Sequence, residues 1–198
     1  MYRLPAAVAV VPLILFGCQR SAPETGEGQT AMPAAAAMPA EGTPEWSIQN
    51  AMSAGPSVIT ANAAVMAWGD SVGAPMTQLR AGSNGWTCMP DLPLTPVNDP
   101  MCLDSVWVRL IDAWTRQAPF TTDVAGVGYM LQGGADASND DPSIMVPPAG
   151  GEWNAEPPHT MLVPSDPAAL AGLPTAQGNG AWVMWAGTSY AHLMVPIE

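Results

Sequence analysis

The sequence predicts a single α+β domain with a mainly antiparallel sheet and one long amphipathic helix. Three observations carry that expectation. From residue 64 onward, short apolar or alternating runs recur between turn-rich stretches, the pattern of strands joined by short connections. One segment, Pro100 to Gln117, repeats apolar residues at helical spacing over several turns. Little helix separates the strands, whereas a parallel sheet needs long crossovers. Residues 46–198 make up the expected domain, a length one core can serve.

Taken in chain order, a short helix is expected from Ser47 to Ala54, stopped by Gly55-Pro56. Ala64 to Trp68 suits a buried strand. Met76 to Arg80 and Gly85 to Met89 flank Ala-Gly-Ser-Asn and read as a hairpin. The long helix follows, with Asp99 as its cap and Pro100 at its first position, where a missing amide costs nothing. Leu103, Val106, Trp107, Leu110, Ile111 and Trp114 give it one apolar face, so its tryptophans belong to the core. Ala125 to Leu131 and Thr160 to Val163 read as strands, and Asp166-Pro167 starts a brief helix ending near Gly172. Ala181 to Trp185 and Tyr190 to Val195 form a closing hairpin.

Ahead of the domain, the chain opens with Arg3, an apolar run from Ala6 to Phe16, and Leu15-Phe16-Gly17-Cys18. Eleven apolar residues interrupted by Pro12 fall short of the roughly 20 that span a bilayer, so the run fits a secretory signal. This order resembles a bacterial lipoprotein signal. The resemblance implies that residues 1–17 are removed and that Cys18 is lipidated; the alternative is an ordinary cleaved signal. Stable anchoring needs more than one acyl chain, which such a lipidated cysteine would carry. By resemblance to Gram-negative lipoproteins, Gln19 after the cysteine implies the outer membrane, facing the periplasm or the cell surface. Residues 18–45 are dominated by Ala, Pro, Gly, Glu and Thr and read as a disordered tether. The rest of the chain is similar to exported bacterial proteins in Asn84–Asp91, Asn98–Asp104 and Met184–His192, a resemblance that implies no activity.

Charge narrows the partners. The whole chain carries a formal charge of −12 with no lysine. Without residues 1–17, four arginines face 17 acids, or −13. Nucleic-acid binding needs clustered positive charge, so no nucleic-acid partner is expected. Anionic lipid would repel the domain, leaving the lipid anchor as its only membrane contact. A small ligand or an envelope protein remains as partner.

Setting Cys18 aside, Cys88 and Cys102 form an even pair, which reads as a disulfide outside the cytosol. The enclosed segment contains the prolines 90, 93, 96 and 100 and is expected to be largely irregular.

Four motifs could carry chemistry. His159-Thr-Met161 and His192-Leu-Met194 each place an imidazole and a thioether two residues apart, on one face of a strand. If the strands are neighbours, the four side chains form a candidate metal set suited to copper. The structural alternative is core methionines and satisfied histidines. Asp136, Ser138, Asp140 and Asp141 alternate as in a calcium loop, but the sixth and twelfth places hold Asp141 and Pro147 instead of Gly and Glu. Gly69-Asp-Ser71-Val-Gly73 matches a nucleophile elbow after a strand, with His192 or His159 as base and an acid from 136–141. Pro75 disfavours the helix that should follow it. Finally, Trp46, Trp86 and Trp153 lie beside Pro, Gly or polar residues, where a ring either plugs a loop or offers a face to sugars or peptides. The expectation is therefore a non-catalytic envelope module binding a small ligand or metal, with an envelope serine hydrolase as the alternative.

Overall fold

The computed structural model describes residues 38–71 and 73–197, which leaves the signal, Cys18 and most of the expected tether outside the description. An eight-stranded sheet forms the frame, with helices on it of at most 11 residues. Its strands are β1 (Ala64–Ala67), β2 (Thr77–Arg80), β3 (Thr87–Met89), β4 (Met101–Leu103), β5 (Gly126–Met130), β8 (His159–Val163), β9 (Trp182–Met184) and β10 (His192–Pro196). Their spatial order is β2-β1-β3-β4-β5-β8-β10-β9. A separate two-stranded ribbon pairs β6 (Gly134–Asp136) with β7 (Asn154–Glu156). The fold is α+β as expected, and every pairing but one is antiparallel: β1 and β3 run parallel.

That parallel pair corrects the expected hairpin. Strands β2 and β3 both form, but β1 lies between them. The turn at 81–84 instead crosses the strand end, where Ser83 N–H donates to the Asn62 carbonyl.

The first helix, α1, runs Pro44–Met52, three residues earlier than expected, because Thr43 caps it by accepting from the Trp46 amide at 3.2 Å. A single turn, α2 (Ser57–Thr60), follows Gly55-Pro56. The long helix, α3, covers only Ser105–Thr115. Asp104, not Asp99, is its cap: Oδ1 accepts from the Val106 and Trp107 amides, both at 2.9 Å. Residues 101–103 are drawn into a strand because Cys102 sits opposite Cys88 and is bonded to it. The disulfide thus ties β3 to β4, and the proline-rich segment is the long loop between them. Asp104 Oδ2 also accepts from the Val127 amide at 2.7 Å, fastening α3 to β5.

Alternation along β3 and β4 separates two cores. Cys88 and Cys102 face Ala51, Ala54, Ala63 and Val65 beneath α1. Met89 and Leu103 face the other way, toward Trp107, Leu110 and Ile111 of α3 and toward Met161, Met184 and Met194. Glycines in β5 let its neighbours come close: a Cβ on Gly126 would lie 2.7 Å from Val106 Cβ of α3. A Cβ on Gly128 would lie 2.8 Å from both Leu103 Cδ2 and Met161 Cε.

Candidate functional site

The two His-x-Met segments lie on paired strands and share the buried face. Met161 is directly opposite Met194, but His159 is opposite Pro196, and His192 lies at the other end of the ladder. At about 3.3 Å per residue, the two imidazoles start some 13 Å apart along the strands. Met161 and Met194 are paired across the ladder in the core, while the two histidines are offset from each other by four residues along it. Each ring also commits its Nδ1 to a backbone carbonyl. His192 Nδ1–H donates to the Tyr190 carbonyl at 2.9 Å, and its ring sits edge-on to Trp107 and Trp185, with centroids 4.8 and 5.3 Å away. Burial pushes its pKa down to about 4, against the opposing pull of that carbonyl.

Ser71 is exposed in the loop after β1, and the next element is β2, so the helix of a nucleophile elbow is missing. No hydrogen bond among the described residues joins Ser71 to a histidine, and both rings are sealed in the interior.

The 136–141 loop spends its oxygens on its own turns. Asp136 Oδ2 accepts from the Ser138 amide, Ser138 Oγ from the Asp140 and Asp141 amides, and Asp141 Oδ1 from the Ser143 amide and hydroxyl. Its carbonyls hold Trp185: Ser138 accepts from the indole N–H at 3.0 Å and Asn139 from the backbone amide at 2.8 Å. Among the described residues, no three His, Cys, Asp or Glu side chains stand close enough to hold a metal ion.

A third group was not legible as a motif. Asp99, Asp136, Glu156 and His159 come together from the disulfide loop, both strands of the ribbon and β8. The ribbon fits tightly there because Gly133, at φ 77°, comes so close to Glu156 that a Cβ would lie 2.6 Å from its carbonyl. His159 is fully buried, its Nδ1–H donates to the Pro157 carbonyl at 2.7 Å, and Nε2 has no hydrogen-bond partner. Glu156 Oε2 lies 3.9 Å from that nitrogen. Burial, with the neighbouring Asp136 and Asp99 charges, pushes Glu156 up to about 8. Burial likewise raises Asp136 and Asp99 to about 6 each, and lowers His159. The domain's arginines are engaged elsewhere: Arg80 with the Thr60 and Ala63 carbonyls, Arg109 with Ser105, Arg116 with Asp112. With no cation beside them to offset burial, these carboxyls sit above the ordinary range, and Glu156 keeps its proton at neutral pH.

A polar concavity with an aromatic wall lies elsewhere on the described surface. A cleft of about 480 Å³ opens between α1 and the disulfide loop, with Trp46, Asn50, Asp91, Thr95 and Asn98 in its wall and Glu41 at its edge. Hydrogen bonds fix its walls. Asn50 Nδ2 donates to Asn98 Oδ1 at 2.6 Å, and Asn50 Oδ1 accepts from the Asp91 amide at 2.7 Å. Asp91 Oδ1 accepts from the Asp99 amide at 3.0 Å, while Asp99 takes the Leu92 amide and the Thr95 hydroxyl at 2.8 and 2.7 Å. A second hollow, of about 420 Å³, is lined by Leu170, Leu173, Val183 and Ala191 and contains no charged side chain.

No protein-family model, curated protein or solved structure matches the chain.

Proposed function

We propose that the chain is a cell-envelope lipoprotein, held by lipid at Cys18, whose folded domain binds a small polar ligand without transforming it. The observation that carries this reading is the prearranged cleft beside α1. Its volume lies within the range of small-molecule sites, and its polar groups are fixed before a ligand arrives, which lowers the ordering cost of binding. The disulfide supports an extracytoplasmic setting, since such bonds persist where reductants are scarce. Among the described residues no helix is long and apolar enough to cross a membrane, so attachment falls to the lipid in this reading. Among the described residues no hydrogen bond joins Ser71 to a histidine, which weighs against the hydrolase alternative, and each histidine Nδ1 is already bonded to a carbonyl, which weighs against copper.

Two measurements test the reading. Mass spectrometry of the protein from its native envelope is expected to find residues 1–17 gone and acyl chains on Cys18; an intact initiator methionine and no lipid would contradict the anchor. For binding, ¹H–¹⁵N NMR of the full chain in detergent with cellobiose, adenosine and choline is expected to shift amides around Trp46, Asp91 and Asn98. Silence there for every probe would overturn the cleft. So would ester hydrolysis that disappears in Ser71→Ala.

A further inference from the structure

We infer that the cleft takes a saccharide without acidic groups, stacked on Trp46 and hydrogen-bonded by Asn98 and Asp91; this rests on the binding function proposed above. Each class of ligand meets a different test at these walls. The charged side chains at the cleft are the carboxylates of Glu41 and Asp91, with no arginine or histidine beside them, which disfavours phosphates, sulfates and carboxylates. A quaternary amine is normally caged by several aromatic faces, and here Trp46 stands alone. An extended peptide adds to a strand edge, but this cleft is walled by a helix and a loop. An apolar ligand would cover the Asn98 amide donor and the Asp91 carboxylate without offering either a hydrogen bond.

A sugar ring meets all four conditions. One face is a sheet of C–H groups that packs on an indole, and its rim carries hydroxyls that both donate and accept. Trp46 is half-buried, and the cap that holds its backbone at Thr43 fixes where the ring begins. Asn98 uses Oδ1 to accept from Asn50, and its Nδ2 donates to no described residue. Asp91 uses Oδ1 for the Asp99 amide, and its carboxylate also meets the Asp99 carboxyl. One amide donor is therefore left over in the wall after the loop has satisfied itself, and the Asp91 carboxylate keeps lone pairs that can accept from a hydroxyl.

The test measures affinity by saturation-transfer and chemical-shift NMR on the full chain in detergent. The probes are cellobiose, glucosamine, glucuronic acid and adenosine. Cellobiose and glucosamine are expected to bind, with saturation strongest on their ring C–H protons, and glucuronic acid about tenfold more weakly or not at all. Trp46→Ala is expected to abolish detectable binding. Asn98→Asp keeps the oxygen that Asn50 needs and replaces the free donor with an anionic acceptor, so it should weaken binding about three- to tenfold with the fold intact. Sugar binding unchanged in both variants would overturn the inference, as would glucuronic acid binding as well as glucosamine. Adenosine shifting the cleft signals while neither sugar does would sink the saccharide and leave the binding function standing. Silence from every probe would sink both.

Discussion

Replacing Glu156 by Gln should flatten the pH dependence of stability above neutrality. The Glu156 side chain is 8% exposed, faces Asp136, Asp99 and the bare Nε2 of His159, and has its pKa raised from an ordinary 4.5 to about 8. Between those values the folded protein holds a proton that the unfolded chain has already released. Raising the pH through that window therefore penalises folding, by about 1.4 kcal/mol per pH unit. The stability is fully present below pH 4.5 and is lost by about pH 8. Asp99 and Asp136, raised to about 6, complete their loss lower in the range. The histidines act in the opposite direction. His192 is lowered from 6.5 to about 4, so its contribution is present above 6.5 and lost as the pH falls. His159 shifts the same way. From pH 6.5 to 8 Glu156 thus titrates almost alone, and the parent should lose about 2 kcal/mol. For a domain of this size that is a fall in Tm of about 4–8 °C. Urea denaturation at constant ionic strength, with the disulfide intact, reads the slope directly. The Gln variant keeps the shape, can donate its amide to His159, and should show almost no slope in this window. A parent and variant with equal slopes would refute the assignment of the proton to Glu156.

Further changes probe the frame. Cys88→Ala/Cys102→Ala should cost about 3 kcal/mol, seen as a lower urea midpoint, because a crosslink spanning 14 residues no longer restrains the unfolded chain. Asp104→Ala removes the α3 cap and strands the Val127 amide, so a loss of about 3 kcal/mol is expected from thermal unfolding. Gly128→Val drives side-chain carbons into Leu103 and Met161, and circular dichroism melts should show a loss of about 3 kcal/mol or failure to fold.

Much of the frame was legible because it follows local rules. The period of two in His159–Val163 and in His192–Pro196 correctly places their alternate residues on a buried face. Asp166 before Pro167 marks a short helix in sequence and caps a 3-10 turn in the fold, accepting from the Ala168 amide. The start of α3 was misplaced because Asp99-Pro100 and Asp104 offer the same capping chemistry, and only the pairing of Cys102 with Cys88 decides between them. Insertion of β1 between β2 and β3 left no local trace, since turn residues say that the chain reverses, not which strand it meets. The sites divide in the same way. A shared face for His159 and Met161 is a local property, but register sends the imidazoles to opposite ends. The cluster of Asp99, Asp136 and Glu156 gathers residues far apart in the chain; a shortage of cations was its only signal in the sequence. Trp46 stood out beside Pro44 and Glu45, yet its companions Asp91 and Asn98 arrive on a loop whose position depends on the disulfide.

A crystal structure of the protein soaked in cellobiose tests the central claim most directly. Sugar density is expected over the Trp46 indole, with hydroxyls within hydrogen-bonding distance of Asn98 Nδ2 and the Asp91 carboxylate. An empty cleft at saturating sugar, or sugar ordered only at another surface, would contradict it.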